Sequence, residues 1–406
     1  MFADILMHST AASSEVPASL ESDEIRPLAY TDYGKELTVK NAALSEFWHR
    51  NRLQGAPVPI IPSPKPRRYR TTSKRRVFSA HNRYRLRFSH RKELTPNSAM
   101  LSTLLEPKEH EIIYQFLLEK LNTPAFSVTA KQLTYIIIRG SYTEFIVIFN
   151  IANVNGAIVK NLKNLAQHLL KLNVNVVSTF VFCDPARSDY YLDNRPAEGA
   201  WKVKNLFGPD FLRLTFGEYT FHYNPVSFSQ INESIIPLLL EQAALLCRAQ
   251  PAERFIDLYC GYGLFSNYMS KQYGEVWGID YDELSVEHAR TTARYRSKKI
   301  NISARTHFRT THITPGTLEA LLPKAGTVSE TILLDPSRQG PVKGVIQFCA
   351  DRHPSRVLHI FCNVDRIPED VEQWHRNGYR IKDIVPLDMF PGTPNLEVLI
   401  LLVPSR

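Results

Sequence analysis

The spacing of apolar positions changes character twice along the chain. Up to residue 54 it is weak. Residues 8–25 are rich in Ser, Ala and Glu, which predicts a flexible leader, and Ala42 to Arg52 predicts one short helix. The stretch from Gly55 to Pro66 holds five prolines, which exclude helix and favour an extended connection. Alternation begins in Arg83-Tyr-Arg-Leu-Arg-Phe-Ser89 and predicts a strand with one charged face. A helix over Lys108 to Leu121 follows, then strands Leu133 to Arg139 and Phe145 to Phe149, a helix over Lys160 to Leu172 and a strand over Val174 to Phe182. Residues 55–226 therefore read as an α+β unit with a mainly antiparallel sheet.

From about Ser227 helices alternate with short apolar strands, the mark of a parallel, doubly wound sheet. A helix over Ile231 to Cys247 precedes strands Arg254 to Tyr259, Glu275 to Asp280, Thr331 to Asp335 and Arg356 to Phe361, with helices from Asp282 and around Val371. Ile384 to Leu387 and Leu396 to Val403 predict a closing hairpin. An antiparallel hairpin on an otherwise parallel sheet is the arrangement of class I methyltransferases. The expected division is a leader over 1–54, a basic α+β region over 55–226 and an α/β domain over 227–406.

Charge sharpens this division. The net charge is +9, yet residues 65–92 alone hold twelve cations and no acid, leaving the remainder at −3. Lys65, Arg67, Arg68, Arg70, Lys74, Arg75 and Arg76 open this segment, with Tyr69, Phe78, Tyr84 and Phe88 set among its cations. Concentrated positive charge with aromatic rings suits the phosphates and unstacked bases of RNA. The five cysteines form no C-x-x-C pair, which argues against a disulfide framework, a zinc site or an iron–sulfur cluster. No apolar run reaches the ~18 residues of a membrane span and no secretory start is present, so a soluble, cytoplasmic protein is expected; a monomer is expected as well.

Three segments carry candidate chemistry. Asp257-Leu-Tyr-Cys-Gly261-Tyr-Gly263 lies between a strand and a helix, where glycines let backbone amides approach a ligand. Asp280 ends the next strand 23 residues after Asp257, where a carboxylate can accept both ribose hydroxyls. Without a third glycine, the pattern favours S-adenosyl-L-methionine over a pyrophosphate cofactor. Asp335-Pro336-Ser337-Arg338 follows another strand but lacks the aromatic residue that amine methylation uses to stack a base. Cys362 follows strand Val357 to Phe361, and Glu397 begins the last strand 35 residues later. A thiolate added to carbon 6 of uracil makes carbon 5 nucleophilic, and a base must then remove the carbon 5 proton before the thiolate leaves. Cys362 and Glu397 suit those two tasks. Some local stabilisation of the thiolate is expected.

At these residues the chain resembles the RNA uracil-C5 methyltransferases, which make 5-methyluridine in transfer and ribosomal RNA. Phe228-Ser-Gln230-Ile-Asn232, Asp257 to Gly263, Asp280, Asp335, Cys362-Asn363 and Asp388-Met-Phe-Pro391 with Thr393 and Glu397 match its motifs in order. The resemblance implies a class I methyltransferase fold and a cofactor site from Gln230, Tyr259, Gly261, Gly263, Asp280 and Asp335. It also implies Cys362 as nucleophile and Glu397 as base. Lacking the four cluster cysteines of the ribosomal branch, the chain is nearer the transfer-RNA type, whose usual target lies in the T loop. Leu264 replaces an asparagine of the glycine turn, Val364 a proline after Cys362-Asn363, and Asn395 a histidine near the base. The strand around Ala304 to Phe308 lacks an adenine-binding acid. Two other readings follow: a catalytically silent RNA-binding or RNA-refolding protein on the same fold, and a cytosine-C5 methyltransferase.

Overall fold

The computed structural model describes residues 1–11, 28–88, 103–187, 203–299, 305–326 and 328–405. The chain forms two compact units, one from Arg67–Leu214 and Asn224–Glu233, the other from Met1–Pro66, Thr215–Tyr223 and Ser234–Arg406. The described residues up to Pro66 thus cluster with the C-terminal sheet. α1 (Phe2–Ala11) and α2 (Tyr33–Arg50) bury Phe2, Leu6, Leu44, Phe47 and Trp48 in that sheet's core. α2 starts nine residues before the predicted helix, capped by the Asp32 side chain accepting from Lys35 N. Most of the leader predicted over 8–25 lies outside the described residues.

The basic unit contains β1 (Ser73–Ala80), β2 (Arg83–Arg87), α3 (Lys108–Leu121), the short α4 (Ser127–Ala130), β3 (Leu133–Gly140), β4 (Phe145–Ile151), α5 (Gly156–Leu169), β5 (Val176–Cys183) and β6 (Val203–Phe207). Its sheet runs β2-β1-β3-β4-β5-β6, antiparallel except for the β4–β5 pair that α5 connects. Apolar residues at helical spacing, Ile113, Leu117 and Leu121 of α3 and Ile158, Leu162, Leu165 and Leu169 of α5, pack on one sheet face. β7 (Leu212–Phe216) and β8 (Tyr219–Tyr223) form a separate two-stranded ladder.

The larger unit contains α6 (Ile236–Cys247), β9 (Arg254–Leu258), α7 (Leu264–Met269), β10 (Glu275–Asp280), α8 (Glu283–Lys299), β11 (Arg305–Thr310), α9 (Pro315–Leu321), β12 (Glu330–Leu334), α10 (Val345–Asp351), β13 (Arg356–Phe361), α11 (Ile367–Arg376), β14 (Tyr379–Leu387) and β15 (Glu397–Pro404). The order β11-β10-β9-β12-β13-β15-β14 is parallel except for β15, the order of a class I methyltransferase sheet. It reverses at β9, so the carboxyl ends of β9 and β12 flank the crevice where such sheets bind ligands. The proline-rich segment is extended as predicted and runs beside β14: Ile61 donates to Pro386 O at 2.9 Å, and Asp388 donates to Ile61 O at 2.9 Å.

The two ends of this sheet differ in charge. At the amino end Arg254 joins Glu275 and Glu330 at 2.6 and 2.7 Å, and Arg352 joins Glu330 at 2.6 Å. Those buried charges are compensated. The carboxyl end gathers Asp280, Asp335 and Glu397, and burial pushes each of these carboxyls above its ordinary range.

Candidate active site

Beyond β9, Tyr259 adopts a left-handed φ of 68°, uncommon for a residue with a side chain, and its hydroxyl accepts from Val342 N at 3.2 Å. Gly261 and Gly263 are left-handed too, for different reasons. A Cβ at Gly263 would come within 2.6 Å of Asn267 Nδ2 and 2.8 Å of Ala289 Cβ, so this glycine lets the turn pack against α7 and α8. A Cβ at Gly261 would meet nothing within 4 Å, so Gly261 faces open space. Asp280 ties the turn to β10: Oδ2 accepts from Gly261 N at 2.8 Å and Oδ1 from Asp282 N at 2.9 Å. A carboxylate has about four acceptor positions, so both oxygens keep capacity for a ribose diol. Asp257 is fully buried and accepts from Ser266 N at 2.9 Å, fastening α7 to β9.

β13 and β15 pair antiparallel, and their last rung joins Phe361 to Val398. One step further stand Cys362 and Glu397. Cys362 is half-buried, its Sγ 3.9 Å from Pro336 O. Glu397 is 1% exposed, and its Oε2 has no hydrogen-bond partner among the described residues. Burial raises the Glu397 carboxyl well above the usual range; the Asp335 charge adds to this and Arg338 opposes it. Asp335 itself is pushed up to about 7 by burial and by Asp280. The expected stabilisation of the thiolate is corrected: burial first, then Glu397 and Asp335, push the Cys362 thiol up to about 12, with Arg338 opposing. Asn363 fixes the next turn, donating to Arg338 O at 3.1 Å and accepting from Asp365 N at 3.2 Å.

Of the predicted site residues, Tyr259, Gly261, Gly263, Asp280, Asp335, Cys362 and Glu397 meet at this one edge. Gln230 belongs to the other unit, in a segment clamped by Arg139, which donates to the carbonyls of Pro225 and Ser227 and to Ser229 Oγ. Gln230 is buried, and Phe228 two residues earlier is 70% exposed. Among the cations, β1 and β2 pair Arg76 with Arg87 and Phe78 with Arg85, which puts Lys74, Arg76, Arg83, Arg85 and Arg87 on one sheet face. Arg67, Arg68 and Arg70 are half-buried on the segment leading into β1. Arg75 points the other way and is withdrawn from the phosphate-contacting set. It is 1% exposed, paired with Glu106 and stacked on Phe88 and Tyr114 with its guanidinium carbon 4.0 and 4.7 Å from the ring centres. Tyr69 and Phe88 are buried as well, leaving Phe78 and Tyr84 as the half-buried rings of this segment.

Two features of the edge escaped the sequence reading. Arg338 is the cation acting on both Cys362 and Glu397, a role no spacing rule signals. Tyr281 and His312, just past β10 and β11, hold their rings within 4° of parallel with centroids 6.5 Å apart. Among the described residues no group of His, Cys, Asp and Glu is placed to hold a metal, and no helix is long and apolar enough to cross a membrane.

The strand order and the chemistry at its carboxyl edge define a class I methyltransferase fold with a cysteine and a carboxylate opposed beside the cofactor crevice. The family model of the tRNA (uracil-5-)-methyltransferases matches residues 200–405, and the chain belongs to that family. An uncharacterized RNA methyltransferase of Lactobacillus johnsonii is 25% identical over 385 residues, 92% of this chain and 81% of its own. One of Halalkalibacterium halodurans is 26% identical over 243 residues, 59% of this chain and 49% of its own. Matches to several curated relatives span about half of their length. The fold is similar to that of the Pyrococcus abyssi tRNA (uracil-54, C5)-methyltransferase solved with S-adenosyl-L-homocysteine. That likeness has a TM-score of 0.67 and 21% identity, over 93% of this chain and 85% of that one.

Proposed function

We propose that the chain methylates carbon 5 of a uridine in RNA, using S-adenosyl-L-methionine, with Cys362 as nucleophile and Glu397 as base. The observation that carries this reading is the opposition of Cys362 and Glu397 one rung past Phe361–Val398, at the edge that also holds Asp280 and the open Gly261 turn. The bound cofactor supplies the methyl group and a positive charge. Asp280 would hold its ribose, Tyr259, Gly261, Gly263 and Asp335 would line its crevice, Gln230 would be a further cofactor-contacting residue, and the rings of Tyr281 and His312 would offer planar surfaces for its base. Cys362 would give up its proton and add as the thiolate to carbon 6, carbon 5 would take the methyl with the cofactor left as a neutral thioether, the Glu397 carboxylate would remove the carbon 5 proton, and the Cys362 thiolate would be eliminated.

The substrate is proposed to be transfer RNA, at a T-loop uridine, with ribosomal RNA as the other candidate. RNA phosphates are held by Lys74 and Arg76 of the basic hairpin face and by Arg67, Arg68 and Arg70. The protein is taken to act as a cytoplasmic monomer. A second reading, a silent RNA binder, draws on two observations: Leu264 is buried where the family has a polar asparagine, and the Cys362 thiol is pushed up to about 12. Mass spectrometry of nucleosides from RNA incubated with the protein and labelled cofactor separates these readings. Labelled 5-methyluridine supports the proposal, labelled 5-methylcytidine the cytosine alternative, and no labelled nucleoside the silent binder.

A further inference from the structure

The buried face of α2 carries two charges with no exposure at all, Glu36 and Lys40. Lys40 Nζ lies 2.7 Å from Glu36 Oε1 and 2.8 Å from Asp388 Oδ1, and 3.4 Å from Phe390 O. Glu36 Oε1 also accepts from Gly392 N at 2.5 Å. Asp388, Phe390 and Gly392 all lie in the turn from β14 to β15, and Glu397 is the first residue of β15. Two backbone bonds hold the same turn: Leu28 N donates to Gly392 O at 3.3 Å, and Asp388 N to Ile61 O at 2.9 Å. Tyr33, on α2, accepts from Ser63 N at 2.7 Å and lies near the Asp388 carboxyl.

A buried ion triad is a poor device for stability, because well-packed apolar residues of the same volume often serve as well or better. What it adds is direction. Lys40 joins α2 to two points of the turn and Glu36 to a third, so the turn is fixed in position and orientation by groups that tolerate little displacement. A residue needs only a small displacement, about 1 Å, to lose much of its catalytic effect. We infer that Lys40 is a positioning residue, holding the Asp388–Gly392 turn through Asp388 and Glu36 so that Glu397 stays opposite Cys362. This rests on the reading of Glu397 as the base.

The test uses the full chain with Lys40→Met, and the neutral triple variant Glu36→Gln/Lys40→Met/Asp388→Asn should the single variant fail to fold. Hydrogen exchange followed by mass spectrometry reads the turn, and RNA turnover reads the base. The expected result is faster exchange over residues 388–396 with β9, β12 and β13 unchanged. Turnover falls about a hundredfold at unaltered KM, with a methylated RNA–protein adduct accumulating, the outcome also expected when Glu397 itself is replaced by Gln. Unchanged exchange in the turn overturns the inference, and so does faster exchange with wild-type release of the adduct. Should the wild-type chain methylate no RNA, the functional reading fails on its own, while the exchange experiment still decides whether Lys40 holds the turn.

Discussion

Cys362 and Glu397 face each other across two antiparallel strands, one rung beyond Phe361 and Val398, and the Glu397 carboxylate makes the Cys362 thiol harder to ionise. Together with burial, the larger cause, this keeps Cys362 a thiol. Removing the carboxylate relieves part of that. In Glu397→Gln, Cys362 should react with iodoacetamide faster than in the wild type at pH 8. The measurement is selective because the other four cysteines are buried. Equal rates would mean that the two groups do not feel each other.

The same variant separates the steps of the proposed reaction. Glu397→Gln should still add its thiol to the RNA and accept the methyl, then stall before elimination, so a denaturation-resistant methylated adduct builds up on a gel. Cys362→Ala should give neither adduct nor 5-methyluridine. Continued methylation by Cys362→Ala at the wild-type rate would falsify the covalent route.

Stability should carry the mark of Glu397 as well. Its carboxyl is raised above 4.5 in the folded chain, so the folded state binds the proton more tightly than the unfolded state. That contribution is full below the unfolded value and is lost as pH rises through the folded one. Glu397→Gln should therefore melt above the wild type at pH 8, with the gap closing as pH falls toward 4.5. A gap independent of pH would assign the effect to packing.

The basic face and the buried arginine predict opposite phenotypes. Replacing Lys74, Arg76 and Arg85 by Gln should leave the fold intact, weaken RNA binding and flatten its salt dependence by about 0.7 per lost single-strand phosphate contact. Arg75→Gln strands the Glu106 carboxylate in the core and should destabilise the protein by about 3–5 kcal/mol. An unchanged salt slope in the triple variant would reduce this face to solvated charge.

Asp280 should be required for the cofactor, since its carboxylate both shapes the Gly261 turn and offers acceptors to a ribose. Calorimetry with S-adenosyl-L-methionine should show weaker binding to Asp280→Ala, and unaltered affinity would remove Asp280 from the site.

Where inward positions were apolar, the sequence was legible: α3 spans Lys108–Leu121 and β13 spans Arg356–Phe361, as predicted. Polar groups in the core hid the rest. β1 turns Ser73, Arg75 and Val77 inward, and a buried arginine breaks the alternation that would have announced the strand. The first turns of α2 vanished for the same reason, because Glu36 and Lys40 occupy core positions. The candidate site was readable because strand ends are, so Asp280, Asp335, Cys362 and Glu397 could be placed at one edge from order alone. Their electrostatics could not, since burial sets it, and burial reversed the expectation for the thiol.

Lys40 and Asp388 are 348 positions apart, and Glu36 and Gly392 are 356 apart. Contacts of such separation are slow to close and come late, after the intervening chain has ordered. During synthesis α2 leaves the ribosome long before the turn it anchors, and Cys362 also leaves before that turn. A chain that stops short of this turn thus carries the basic hairpin face but neither Glu397 nor the contacts that anchor the Asp388–Gly392 turn to α2.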